Sequence, residues 1–180
     1  MKKLMFILAA VAMAATVQAA TVSWTCTNVK DSTGGAISGI AYFVNAATLS
    51  QGDLSALSGA DAFNTALSGM YSWTPATAGK YTEADGVANA TLGLADATAS
   101  QAYLVIFDTA TITDASKYYM TEVKSFDTLS GTFDQQVKWG SQSTPSQAAG
   151  AWTSVSVPEP TSGLLLLVGM AGLALRRRRA

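Results

Sequence analysis

The 180-residue sequence contains no histidine and a single cysteine, Cys26. Histidine is the commonest general base and transition-metal ligand, so its absence excludes Ser-His-Asp and Cys-His nucleophile systems. One cysteine also cannot build a cysteine-rich zinc site. We therefore expect no metal and no other cofactor.

Charge is scarce and unevenly placed along the chain. Charged residues make up 13% of the sequence, and every arginine lies within residues 176–179. Residues 20–157 contain five lysines and eleven acidic residues, which gives this body a net charge of −6. Such a body lacks the basic surface that nucleic-acid binding requires, and anionic membranes and acidic polymers repel it. We therefore expect no nucleic-acid partner.

Acidic residues are the remaining candidates for catalysis, because a pair of carboxylates can hydrolyse glycosides. The candidates in the body are Asp53, Asp61, Glu83, Asp85, Asp108 and Asp114. Most of them fall in predicted turns or at strand ends, where aspartate is ordinarily a solvated turn residue. No spacing distinguishes a pair, and no calcium-loop or phosphate-loop pattern is present. We identify no catalytic residue and predict that the protein is not an enzyme.

Residues 1–19 have the layout of a secretory signal peptide. Lys2 and Lys3 precede an uncharged run over residues 4–17, and small residues stand before a cleavage position. As a helix this run is about 21 Å long, which is short for a bilayer core of about 30 Å. We therefore predict cleavage between Ala19 and Ala20, and not a retained anchor. The body is expected to leave the cytoplasm through Sec-type export machinery.

The other end combines an extended turn, an apolar run and a basic cluster. The turn consists of Val157, Pro158, Glu159 and Pro160. The prolines prevent a helix there, because proline lacks a backbone N–H and restricts the residue before it. The uncharged run over residues 160–175 reaches about 24 Å as a helix, which is short for a bilayer core but workable with snorkelling arginines, so a transmembrane helix is predicted over residues 162–175. The cluster, which the positive-inside rule places in the cytoplasm, consists of Arg176, Arg177, Arg178 and Arg179.

This tail resembles the PEP-CTERM sorting signal, in which Val-Pro-Glu-Pro precedes an apolar helix and a terminal arginine cluster. The resemblance covers residues 157–180 only, and such a tail specifies an address and not an activity. It implies recognition by an exosortase, a membrane-embedded cysteine transpeptidase-like enzyme. It further implies a transient inner-membrane anchor in a Gram-negative bacterium that makes exopolysaccharide, and delivery to the cell surface or the extracellular matrix of a biofilm. A plain single-pass anchor is the alternative.

The body, residues 20–157, has a predominantly β pattern. Polar and apolar residues alternate in several short segments, and residues 102–107 form a continuous apolar run suited to a central strand buried on both faces. The expected strands cover about residues 22–27, 37–44, 87–94, 102–107, 117–126, 133–139 and 151–157. Residues 51–68 are predicted to form one helix, with Ser50 and Asp53 as its N-terminal cap. We predict a mainly β fold, an antiparallel β-sandwich of jelly-roll or immunoglobulin-like topology with one inserted helix, between a signal helix and a transmembrane helix within the sorting signal at residues 158–180.

Side-chain patterns within the strands suggest which residues are buried. Cys26 shares a predicted strand face with Val22 and Trp24, so it is expected to be a small buried hydrophobic residue. In residues 133–139, the side chains expected to point inward are those of Phe133, Val137 and Trp139.

Two features leave a binding function open. The first is a possible aromatic platform for sugar rings, although core packing is the commoner use of such residues. Its candidate members are Tyr71, Trp73, Tyr81, Trp139 and Trp152. The second is a predicted strand with Thr109, Thr111 and Thr113 on one face. Such a row is found on ice-binding surfaces, but it also follows simply from the β-propensity of threonine.

The sequence thus predicts a non-catalytic, exported and exosortase-sorted protein of the surface or extracellular matrix, with a structural or adhesive role. The alternative is a carbohydrate-binding module held at the cell envelope. Exopolysaccharide is a candidate partner in both cases.

Overall fold

The computed structural model describes residues 19–31, 33–131, 133–139 and 152–155. The predicted signal helix and the predicted transmembrane helix lie outside these residues. The described part of the chain is mainly β, as the alternation of its residues predicts.

The described chain forms strands in two sheets and a few short helices. The strands are β1 (Thr21–Cys26), β2 (Ala41–Asn45), β3 (Ser72–Trp73), β4 (Tyr81–Ala88), β5 (Ala99–Phe107), β6 (Lys117–Met120), β7 (Lys124–Asp127), β8 (Asp134–Trp139) and β9 (Thr153–Ser154). The helices are α1 (Gln51–Ser55), α2 (Ala60–Ala66) and a 3-10 helix (Asn89–Leu92).

The smaller sheet has the order β4-β1-β8, and the larger sheet has the order β3-β2-β5-β6-β9 with β7 also paired to β5. The pairs of the larger sheet are antiparallel, as is β1 with β4. Strands β1 and β8 are parallel, from Thr21 opposite Asp134 to Cys26 opposite Trp139. The prediction of a purely antiparallel body was therefore wrong for this pair. Alternation within a strand does not reveal the direction of its neighbour.

A first hydrophobic core lies between the two sheets. The smaller sheet contributes Val22, Trp24 and Cys26 from β1, all at most 1% exposed, so their predicted shared inner face is confirmed. The larger sheet contributes Phe43 and other residues, and the Phe43 ring lies 5.0 Å from that of Trp24. Burial of such large rings is the main energetic gain of this core.

A second core lies on the opposite face of the larger sheet. Alternate residues of β5 supply it, including Tyr103 and Phe107, while Leu54 of α1 and Phe63 of α2 cover it. The Phe63 and Phe107 rings meet edge to face at 5.9 Å. Because β5 lies between both cores, all six residues from 102 to 107 have no exposed surface. This confirms the predicted central strand.

The predicted helix over residues 51–68 is two short helices. The N-terminal cap is present as predicted, since the Asp53 N–H donates to Ser50 Oγ at 3.1 Å. Helix α1 then ends at Ser55, and α2 begins only after Gly59, whose φ of +84° is incompatible with helical continuation. Helical spacing of apolar residues continues across this break, which is why the sequence pattern suggested one helix.

A second difference concerns the strand expected over residues 87–94. Strand β4 instead ends at Ala88, and the 3-10 helix follows at once. Gly93, with φ of +67°, ends that helix in the left-handed region.

A one-residue bulge divides the strand expected over residues 117–126 into β6 and β7. Met120 pairs with Val105, but Lys124 pairs with Ala102, so three residues of one strand oppose two of the other. The bulge is filled by Thr121, which donates its N–H to Leu104 O at 3.0 Å and accepts the Leu104 N–H at its hydroxyl at 2.9 Å.

The expected inner face of residues 133–139 is only partly correct. Val137 and Trp139 are buried, but Phe133 is 66% exposed. Phe133 lies one residue before β8 begins, so the alternation of the strand does not extend to it.

The burial of Cys26 leads to a test of the first core. The side chain has no exposed surface, and the chain has no second cysteine for an internal disulfide. We expect the exported protein to run identically on reduced and non-reduced gels, and we expect a thiol reagent to label Cys26 only after denaturation. A dominant disulfide-linked dimer, or rapid labelling of the native protein, would contradict this packing. A Val123→Cys variant, at a 38% exposed position, is the positive control for labelling.

Candidate functional site

The C-terminal segment of the described chain is fixed to the larger sheet. Thr153 and Ser154 pair with β6, and the next residue, Val155, donates its N–H to Ser116 O at 2.9 Å. The Val155 side chain is only 1% exposed and belongs to the second core. The body is therefore held in place up to the residue that directly precedes position 156.

Trp152 holds the same segment from the other side. Its indole Nε1 donates to the backbone oxygen of Lys30 at 2.7 Å, and its ring lies 6.1 Å from that of Tyr119. Trp152 thus anchors the C-terminal segment of the described chain. It is separate from Tyr71 and Trp73, although the sequence analysis placed all three in one aromatic platform. The predicted sorting residues 157–160 and 176–179 lie outside the described residues.

At the other end of the body, the predicted cleavage site lies directly before the first buried residue of the described chain. Ala19 is exposed, whereas Ala20 has no exposed surface. Thr21 opens β1 and donates its N–H to Phe133 O at 3.1 Å. Within the described chain, the change from an exposed to a buried residue therefore falls between the two residues that were predicted to flank the cut.

No helix in the described ranges has the length and apolarity needed to cross a bilayer.

A second candidate site is an aromatic edge, which we define as Tyr71, Trp73, Trp24 and Glu83. The Trp73 ring lies 5.1 Å from that of Trp24, and the Tyr71 ring meets Trp24 edge to face at 5.8 Å. Tyr71 and Trp73 are half-buried, whereas Trp24 is almost fully buried beneath them. The edge therefore offers partly accessible rings on a rigid base.

Polar groups accompany these rings. Tyr71 donates its hydroxyl to Glu83 Oε2 at 3.1 Å, and burial together with the Glu83 charge raises the pKa of Tyr71. The buried indole N–H groups of Trp24 and Trp73 find no hydrogen-bond acceptor among the described residues. Because buried donors are nearly always paired in folded proteins, these two are the notable polar feature of the edge.

The rest of the expected aromatic platform belongs to the core. Tyr81 has no exposed surface and Trp139 is 1% exposed, so neither can stack on an external ring. Sequence reasoning also missed the association of Trp24 and Glu83 with Tyr71. That association depends on where strands of two different sheets meet, and local patterns carry no such signal.

Half of the six candidate carboxylates accept hydrogen bonds that support local structure. Asp53 accepts the Ser50 hydroxyl at 2.7 Å, Asp108 accepts the Lys117 N–H at 2.8 Å, and Asp114 accepts the Ala60 N–H at 2.8 Å. The other three candidates are Glu83, which Tyr71 contacts, and Asp61 and Asp85, which are exposed. Across the described ranges no three acidic or cysteine side chains converge as metal ligands would.

The expected threonine row is not on a strand. Residues 109–113 form a loop after β5, in which the hydroxyls of Thr109 and Thr113 lie 2.7 and 3.1 Å from Ser116 Oγ. Ser116 is fully buried, so it draws these hydroxyls into a local network. The three threonines therefore do not form a flat row of the kind expected for ice binding.

These features describe a β-rich body whose last described residue is Val155. A family model described as the PEP-CTERM protein-sorting motif matches residues 156–179, directly after it. The chain thus carries a PEP-CTERM sorting motif, which indicates an exported protein that is targeted to an exosortase and delivered to the envelope or the extracellular space. No curated protein and no solved structure shows significant similarity to it.

The role of Asp114 can be tested directly. Helix α2 has no side-chain cap of its own at Gly59, and Asp114 satisfies the Ala60 N–H from a distant loop. Replacement Asp114→Ala should lower the free energy of unfolding by about 1 kcal/mol, the usual loss for a helix cap. Denaturant unfolding measures this loss. The control is Asp85→Ala, at an exposed residue, which should change stability by less than about 0.5 kcal/mol. Equal effects of both changes would show that Asp114 is not a cap.

Proposed function

We propose that this protein is a non-catalytic component of the cell surface or the extracellular matrix of a Gram-negative bacterium, with a structural or adhesive role. The observation that carries the proposal is the fixed attachment of the body up to Val155, directly before the matched sorting segment. Exosortase cleavage near residues 158–160 would remove the apolar tail and leave the packed body unchanged. The inner-membrane anchor is then transient, as it serves only until this cleavage.

The architecture supports a structural role. We infer a β-sandwich from the two sheets that share the first core, with the helices covering the outer face of the larger sheet. Such a body has two cores and strands pairing residues far apart in sequence, for example Thr21 with Asp134. These long-range contacts suit a domain that must persist outside the cell without a disulfide.

Absence of catalysis is part of the same proposal. Three of the six candidate carboxylates bond to helix ends or backbone amides, which is how structural aspartates behave. The chain also has no histidine to act as a general base near the remaining acids.

The sorting step is tested at Glu159. In wild-type cells the released protein should begin at Ala20 and end near the motif, without Arg176–Arg179. The Glu159→Ala precursor should stay in the inner membrane, because the apolar helix remains while the recognised turn is damaged. Intact-mass spectrometry of membrane and extracellular fractions measures both outcomes.

The matched control is Glu122→Ala, which removes an exposed acid from the body. This variant should be released like the wild type. Recovery of wild-type extracellular protein that still carries the four arginines would refute exosortase processing and favour a plain anchor.

A second function, carbohydrate binding at the aromatic edge, has one specific observation in its favour. The edge combines the half-buried rings of Tyr71 and Trp73 with the half-buried Glu83 carboxylate, to which Tyr71 donates its hydroxyl. Aromatic faces with nearby donors and acceptors match the alternating apolar and hydroxyl surfaces of sugars. The net charge of −6 on residues 20–157 favours a neutral sugar over an acidic one.

Binding is tested on an array of neutral and acidic glycans, followed by calorimetry with any polymer that binds. If the edge is the site, Glu83→Gln should weaken binding of a neutral glycan at least about tenfold, because charged hydrogen bonds contribute about 1.5–3 kcal/mol. Trp73→Ala should weaken it further. The matched control is Trp152→Ala, which removes an indole away from the edge and should leave affinity unchanged. Absence of saturable binding would exclude this function and leave the structural role intact.

A further inference from the structure

A buried polar site lies at the beginning of β1. Ala20 has no exposed surface and Asn89 is 1% exposed. The two residues lie opposite each other, one step beyond the pair formed by Thr21 and Ala88, and the Asn89 N–H donates to Ala20 O at 3.0 Å. The site is thus built from the first residue of the predicted mature chain and from the first residue of the 3-10 helix that follows β4.

The orientation of the Asn89 side chain is fixed by two acceptors. Its Nδ2 donates to Asp96 Oδ1 at 2.7 Å and to Leu129 O at 3.2 Å. The amide cannot be reversed without placing its oxygen against both of these acceptors. Its Oδ1 therefore faces away from them, and it accepts no hydrogen bond from the described residues. A buried acceptor of this kind lacks a donor, which ordinarily costs stability.

The backbone nitrogen of Ala20 points toward this side. Successive N–H groups of a strand point to alternate neighbours. The Thr21 N–H points to β8, where it reaches Phe133 O, and Ala20 O accepts the Asn89 N–H, so we infer that the Ala20 N–H points to the β4 side. In a regular ladder the Asn89 backbone oxygen would accept it. Here that oxygen turns into the 3-10 helix and accepts the Leu94 N–H at 2.9 Å.

We propose that this site holds the α-ammonium group of Ala20 after the signal peptide has been removed, with Asn89 Oδ1 as acceptor and the Asp96 carboxylate as the neighbouring negative charge. Signal peptidase adds one water across the Ala19–Ala20 peptide bond. Ala19 leaves with a carboxylate, and the amide nitrogen of Ala20 becomes an amine that takes up a proton. This inference rests on the predicted cleavage position and is independent of the body's ligand.

The consequence is that cleavage completes the fold. A buried ammonium is stable only with acceptors and a counter-charge close by, and Asn89 with Asp96 supplies both. In the precursor the same nitrogen has a single N–H and no charge. The mature protein should therefore be more stable than any form that carries additional residues on the N-terminal side of Ala20.

A one-residue insertion tests the site in the exported protein. Serine inserted between Ala19 and Ala20 keeps the residues before the cut and moves the new terminus one residue outward. We expect this insertion to lower the melting temperature of the released protein by about 4 °C or more, given the usual strength of hydrogen bonds to charged groups. N-terminal sequencing establishes where each form begins.

The insertion is repeated in three backgrounds. In the Asn89→Ala and Asp96→Asn backgrounds, the insertion should lower the melting temperature by less than half as much, because the site that binds the ammonium group is already impaired. Asp96→Asn preserves the shape of the side chain and removes only its charge, so this background still tests the site if the Asn89→Ala variant fails to fold. The control background, Asp127→Asn on β7, should retain the full difference. An equal loss in all backgrounds, no loss in any, or a native chain that begins elsewhere than Ala20 would each overturn the proposal.

Discussion

The structure depends on the burial of β5 on both faces. This strand pairs with β2 on one side and with both β6 and β7 on the other. Its alternate residues enter different cores, so each core is supported by the same backbone. Since none of residues 102–107 has exposed surface, a charged or unpaired polar group at any of them would be buried at a large cost in stability. That constraint explains why this run is uncharged and why its one polar side-chain group, the Tyr103 hydroxyl, donates to Leu49 O at 3.0 Å.

The same constraint shows how much of the fold the sequence could predict. A continuous apolar run and the alternation of Val22, Trp24 and Cys26 are local signals, and both were interpreted correctly. The bulge at Thr121 and the parallel pairing of β1 with β8 are set by distant partners, so local periodicity could not reveal them. The break between the helices was marked only by Gly59, which periodicity alone passes over.

The candidate sites differ in the same way. The sorting tail is contiguous, so its order of motif, apolar run and arginines could be recognised from the sequence alone. The aromatic edge brings together residues from β1, β3 and β4, and its burial separates Tyr71 and Trp73 from the core residues Tyr81 and Trp139. Composition cannot make that separation. The register of the strands decides which tryptophan is buried, and this register cannot be read from the sequence.

The two ends of the body are held with different strength, which fits the order of processing that we propose for them. Strand β1 is the centre of the smaller sheet, with neighbours on both sides and three residues in the first core. Strand β9 pairs through two residues at the margin of the larger sheet, and both of its side chains are exposed. Local opening is easiest where few apolar contacts are lost. Strand β9 can therefore detach with the loss of the side-chain contacts of Val155 and Trp152 alone. In the processing that we propose, an enzyme that acts just beyond residue 156 can therefore gain access without disturbing β5, whereas the predicted cut beside Ala20 would precede the enclosure of β1 between β4 and β8.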